Sequence, residues 1–217
     1  MPSAFFTATA FSGFDSVWDF FGKGGVFMIP LAITCFIGLA AIIYKFLSLA
    51  ESRVIPRQLV RDIAAFGQHL AKGTEDAVVR EINSGGSTLA RLAATALVNS
   101  NKPREHAVSA VEAAAREETV RLHSGIGVLD VVITVAPLLG LVGTASGLVV
   151  IFQGLGETSD HAMISHGIAE ALSTTIFGIS VAIPAIVAHS WFFRRIEKLT
   201  ARLETLLAGF TATLTRP

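Results

Sequence analysis

The sequence predicts an all-α membrane protein with three transmembrane helices and long helical extensions into the cytoplasm. Three observations carry this. Only 16% of the 217 residues are charged and 52% are apolar, whereas an ordinary soluble domain is roughly 25% charged. Charge is missing altogether from three stretches, 24–44, 131–156 and 171–193, each long enough to supply the about 20 apolar residues a helix needs to cross a bilayer. Strand signals are absent, and apolar residues recur at three- and four-residue spacings instead.

The basic residues set the orientation. Of the 17, Lys23 precedes the first span and Lys45 sits at its far end; ten lie between Arg53 and Arg121, none between spans two and three, and five follow the third span. Basic loops stay on the cytoplasmic side, so the expectation is a periplasmic N-terminus and a cytoplasmic C-terminus in a multi-pass protein. The zero net charge leaves no basic stripe for nucleic acid. Cys35 lies inside the first span and has no second cysteine to pair with.

Taken in order, residues 1–23 read as an outer interfacial amphipathic helix. Phe14, Val17, Trp18 and Phe21 share one face, Asp15 and Asp19 lie on another, and no basic region precedes them as in a signal peptide. Residues 24–50 form transmembrane helix 1, with Pro30 near its outer end and Lys45 reaching for the cytoplasmic interface. Residues 51–128 form a cytoplasmic helical region punctuated by Gly67, Gly73 and 83–87. From Pro103, suited to a first helical position, a stripe of Val108, Val111, Ala115, Leu122, Ile126, Leu129 and Ile133 runs into transmembrane helix 2 at 129–153. One uninterrupted helix is expected there, with Gly125 and Gly127 as the place for a bend. A periplasmic loop follows at 154–166, then transmembrane helix 3 at 167–193. A cytoplasmic C-terminal helix completes the chain at 194–217, with Leu199, Leu203, Leu206 and Leu207 on its apolar face.

No G-x-S-x-G, Walker lysine or H-E-x-x-H pattern is present, and the histidines lack zinc-ligand spacing. Neither enzyme chemistry nor a cofactor or metal is expected. The unusual residues lie in the membrane. Gly140, Gly143, Thr144 and Gly147 put small side chains on helix 2, where they let helix backbones approach closely. On helix 3, Glu170, Thr174 and Gly178 follow one another at i+4 spacing, with Thr175 further round. A carboxylate within hydrocarbon marks an ion or proton path; the alternative is solvation at the outer interface. The threonines line that path or bond back to carbonyls one turn earlier.

The segments Ala136-Pro137-Leu138-Leu139-Gly140-Leu141-Val142-Gly143-Thr144 and Gly167-Ile168-Ala169-Glu170-Ala171-Leu172, with Gly178 and Ala182-Ile183-Pro184-Ala185, resemble the MotA/TolQ/ExbB proton-channel family. The three-span layout is similar to its ExbB/TolQ branch. The resemblance implies a bacterial inner-membrane protein that assembles as a cyclic homopentamer around a pair of single-span ExbD/TolR-like helices. Such a complex uses the proton motive force to drive a TonB- or TolA-like transducer. It also implies ion-pathway roles for Thr144, Glu170 and Thr175. Thr174 joins them from its place one turn after Glu170, and the small-residue spacing gives helix-packing roles to Gly140, Gly143, Gly147 and Gly178. Ser146 and Ser173 depart from typically apolar or variable neighbours, and a serine-enriched lining bears on ion choice. Independently of the resemblance, a lone intramembrane carboxylate with so much packing surface calls for self-association and a partner.

Overall fold

The computed structural model describes residues 26–154 and 161–215. The interfacial helix expected over 1–23, with Trp18, and positions 155–160 of the expected periplasmic loop lie outside them. All regular structure among the described residues is helical: α1 (Met28–Ser48), α2 (Glu51–Val54), α3 (Arg57–Ala64), α4 (Phe66–Lys72), α5 (Glu75–Ser84), α6 (Thr88–Val98), α7 (Arg104–His123), α8 (Ile126–Gly154) and α9 (His161–Leu214). Among the described residues, three helical stretches are long and apolar enough to cross a membrane, at Met28–Ser48, Arg104–Gln153 and Ile164–Leu214. The chain is an all-α, multi-pass membrane protein.

Two compact units divide the chain, one of residues 1–42 with 128–188 and one of 43–127 with 189–217. In the first unit, α1, α8 and α9 bury Met28, Leu31, Val132, Ala136, Val181 and Ala185 around a common core, with Cys35 and Phe177 packed against it. Gly38 lets α1 approach α8, since a Cβ there would stand 3.1 Å from a Val132 methyl. The outward faces carry Ile33, Phe36, Leu141, Val149, Leu172, Ile176 and Ile183, all exposed. A water-soluble monomer does not present so much contiguous apolar surface; hydrocarbon or other membrane helices cover it.

The second unit is organised by α6, whose Leu89, Ala90, Leu92, Ala93 and Ala96 are buried. Ser87 starts it by accepting the Ala90 amide at 3.2 Å, which satisfies one of the orphan donors of a first turn. Arg91 on α6 grips Glu118 on α7 with two hydrogen bonds, Nε to Oε1 at 2.8 Å and Nη2 to Oε2 at 2.5 Å, and also reaches the Gly86 carbonyl at 2.6 Å. The bond from Arg91 holds the Glu118 carboxyl below the usual carboxylate range although burial works the other way. Glu51 bonds Arg202 at 2.6 Å and Arg195 at 3.5 Å on α9, and Phe66 meets Phe210 edge to face with centroids 5.0 Å apart. The α9 stripe is buried at Ile196, Leu199, Leu203, Leu207 and Phe210, with Leu206 partly so.

Three expectations need correction. The long helix from Pro103 is two helices, because a turn at Ser124–Gly125 separates α7 from α8 and Gly125 takes φ 84° there. Only glycine adopts that conformation without strain. As part of the same difference, Pro103 is the N-cap, one place before the first helical residue. Lys45 does not reach for solvent. It is 2% exposed, and its Nζ donates to the Leu122 carbonyl at 2.7 Å. The break explains this, since the last carbonyls of α7 lack helical donors. The Ser124 amide serves Val120 and Arg121 at 3.0 and 3.2 Å, and the Lys45 cation takes Leu122, where the negative end of the helix dipole favours it. The third difference is small: α9 begins at His161, so the end of the segment read as loop is helical.

Candidate functional site

The small residues decide how closely α8 and α9 approach. A Cβ on Gly140 would lie 2.8 Å from the Thr174 carbonyl oxygen and 3.0 Å from the Thr175 Cα. On Gly143 it would meet the Thr174 hydroxyl at 2.7 Å, on Gly147 the Ala171 Cβ at 2.8 Å, and on Gly178 the Ala136 carbonyl oxygen at 2.5 Å. All four glycines are therefore spent on contact between two helices of the same chain. Gly167, at the head of the second motif, adds a fifth contact against Ile151 at 2.8 Å, a packing role that its place in the motif does not reveal.

This closeness brings hydroxyls to backbone carbonyls across the helix pair. Thr144 Oγ1 lies 3.0 Å from its own Gly140 carbonyl and 3.0 Å from the Ala171 carbonyl of α9. Thr174, 2% exposed, reaches the same two carbonyls at 3.1 and 2.8 Å. Thr175 Oγ1 lies 3.0 Å from the Gly140 carbonyl and hydrogen-bonds Thr144 Oγ1 directly. Three of the four predicted ion-pathway residues thus form one cluster. Back-bonding, the alternative reading of the threonines, accounts for only part of it, because each hydroxyl also crosses to the other helix.

Three hydroxyls carry three protons, whereas five oxygens here can accept: two carbonyls and the hydroxyls themselves. The cluster is thus richer in acceptors than in donors. It can present a hydroxyl proton to an anionic oxygen or an oxygen to a protonated one by rotating C–O bonds, with no helix movement. Gly140 and Ala171 supply the carbonyls, and sequence reasoning assigned neither that part. The available signal was Gly140–Thr144 at i, i+4 facing a Thr-Thr pair.

Glu170 lies one turn before Thr174 on α9 and is half-buried. It lines a cavity of about 260 Å³ with Val26, Phe27, Gly143, Ser146, Gly147 and Thr174. Glu170 and the threonine cluster thus share Thr174 as a neighbour within the same unit. Ser146 joins the cavity, whereas Ser173 turns its hydroxyl back to the Ala169 carbonyl at 2.8 Å.

Helix α8 and the apolar part of α9, with this cluster between them, fall within residues 81–205, which match the model of the MotA/TolQ/ExbB proton channel family. The chain belongs to that family. Among relatives of the MotA/TolQ/ExbB chain described here is a biopolymer transport protein ExbB homolog of Methanothermobacter thermautotrophicus. It is 31% identical over 194 residues, covering 89% of this chain and 68% of that protein. The Tol-Pal system protein TolQ of Pseudomonas aeruginosa is 33% identical over 65% of this chain and 62% of its own length. The biopolymer transport protein ExbB of Salmonella typhimurium is 37% identical over 86 residues, 39% of this chain and 35% of that protein. These names place the chain in the ExbB/TolQ branch.

Proposed function

We propose that this ExbB/TolQ-type chain is a proton-channel subunit of the bacterial inner membrane. In this reading it forms a cyclic homopentamer around a pair of single-span ExbD/TolR-like helices and couples proton flow to a TonB- or TolA-like transducer. The observation that carries the reading is the cluster of Thr144, Thr174 and Thr175 beside the cavity of Glu170, within the stretch that matches the family. Glu170 gathers protons from the outer side and passes them towards an acidic residue on the enclosed helices. The hydroxyls solvate that acid whether or not it is protonated, because each both donates and accepts. A single chain supplies one side of such a path, and a ring of copies closes it.

The orientation belongs to the same proposal. Residues 51–128 and 194–217 are cytoplasmic and the 154–166 segment is periplasmic, because Lys and Arg concentrate in the former and avoid the latter. The glycine stripe serves a different end from the one its sequence suggested. Gly140, Gly143 and Gly147 face α9 of their own chain, so the pentamer has to be built on the exposed apolar faces of the helices instead.

The decisive experiment compares Glu170→Gln, Thr144→Val and Thr175→Val with the wild type in proteoliposomes containing the single-span partner. Each variant is first checked for unchanged oligomer yield by native mass spectrometry. Partner-dependent proton uptake is expected to fall at least tenfold in each, because shape is preserved while a charge or hydroxyl is lost. Full uptake in all three would remove the ion-pathway assignment.

A further inference from the structure

At the end of the third charge-free run, α9 changes from Trp191 and Phe193 to Arg194, Arg195, Lys198 and Arg202. Trp191 is 48% exposed and stacks on Phe46 of α1 with centroids 5.8 Å apart. Trp191, Arg194 and Lys198 follow at i, i+3 and i+7, so they lie on one face of the helix. The four basic residues here divide into two pairs. Arg195 and Arg202 are both engaged by Glu51. Arg194 and Lys198 are exposed and make no ion pair among the described residues, and the nearby acid Glu197 bridges neither.

We propose that Trp191, Arg194 and Lys198, walled by Phe46, form a binding site for one anionic phospholipid of the cytoplasmic leaflet. Residues four apart on a helix stand about 5–6 Å apart at Cβ, a span over which two long cations can grip one phosphate from either side. Arginine contributes a fork to two phosphate oxygens and lysine a compact point charge. The Trp191–Phe46 pair seats the glycerol and first acyl carbons, since an indole prefers the depth at which one edge is apolar and the other wet. A zwitterionic lipid is disfavoured, because its own cation would crowd Arg194 and Lys198 with only Glu197 to receive it. The site lies wholly within the second unit; its leaflet rests on the orientation proposed above, and its case is otherwise independent of the ion-pathway assignment.

The test is native mass spectrometry of the full chain released from micelles holding equal amounts of dioleoyl-phosphatidylglycerol and dioleoyl-phosphatidylcholine. Each basic residue at an anionic surface is worth roughly a factor of five, so phosphatidylglycerol adducts should be enriched on the order of tenfold. An R194Q/K198Q variant should fall to near parity, whereas K102Q/R104Q, which removes two cations away from the aromatic pair, should keep the enrichment. Parity in the wild type, or enrichment unchanged in R194Q/K198Q, overturns the proposal. A second readout leaves the cations intact. In a W18F background Trp191 is the remaining tryptophan, and brominated phosphatidylglycerol should quench it several-fold more than brominated phosphatidylcholine. Equal quenching by the two lipids counts against the site, and no quenching by either overturns it as well, because protein then covers the patch.

Discussion

Gly178→Ala tests whether close helix contact is what builds the threonine cluster. The new Cβ would stand 2.5 Å from the Ala136 carbonyl oxygen, 3.2 Å from its carbon and 3.3 Å from the Gly140 Cα. All three are backbone atoms, so no side chain can swing away. Restoring ordinary contact requires α8 and α9 to separate locally by roughly an ångström, and overpacking of this kind costs about 1–3 kcal/mol. The Gly140 carbonyl accepts from Thr174 at 3.1 Å and from Thr175 at 3.0 Å. Added separation of that size carries both contacts beyond hydrogen-bond range. The substitution therefore breaks the cluster without touching a polar atom. Its expected signature is a lower unfolding midpoint in detergent together with loss of most partner-dependent proton uptake. Gly86→Ala, at a glycine with open space around it, should show neither effect. Wild-type uptake with an unchanged midpoint in Gly178→Ala would refute the link from glycine packing to hydroxyl geometry.

Further outcomes follow from the second unit and from the orientation. Glu118→Gln should destabilise that unit by about 1–3 kcal/mol, less than for a fully buried pair because Arg91 is 39% exposed; denaturant melts with and without the substitution measure this. The Glu118 carboxyl is held below its ordinary value, so its contribution is present above the unfolded value of about 4.3 and is lost as pH falls through the lower folded value. The wild-type advantage over Glu118→Gln should accordingly persist at pH 7 and vanish in strong acid. Lys45→Met should keep the length of the side chain yet leave the Leu122 carbonyl without its donor. A loss of about 1–3 kcal/mol and faster amide exchange at the end of α7 are expected, and exchange unchanged at 120–126 would show that the cap is dispensable. In a Cys35→Ala background, cysteines placed in 75–105 should react with impermeant maleimide only after permeabilisation and those in 157–161 without it; the opposite pattern reverses the proposed topology.

Much of this architecture follows from local composition alone. Hydrocarbon tolerates neither unpaired charge nor open backbone, so charge-free runs of sufficient length become spans whatever surrounds them. That is why 24–44, 131–156 and 171–193 could be read directly from residue type. The family's small-residue and hydroxyl motifs were equally legible, since Gly140, Gly143, Thr144, Glu170, Thr174, Thr175 and Gly178 stand at readable spacings. Spacing along one helix does not name the surface that the helix meets, however. Only the packed chain shows that the glycine stripe of α8 is filled by α9 of the same molecule, and that Thr174 and Thr175 both reach the Gly140 carbonyl. The break at Gly125 was visible as a possible bend, but the apolar stripe runs unbroken through it. Its resolution into two helices shows only in the packed chain, where Lys45, 77 residues away from Leu122 in sequence, supplies a donor to the interrupted helix end. A lysine near a span boundary carries the same local signal whether it faces water or a carbonyl, and only the tertiary partner distinguishes the two.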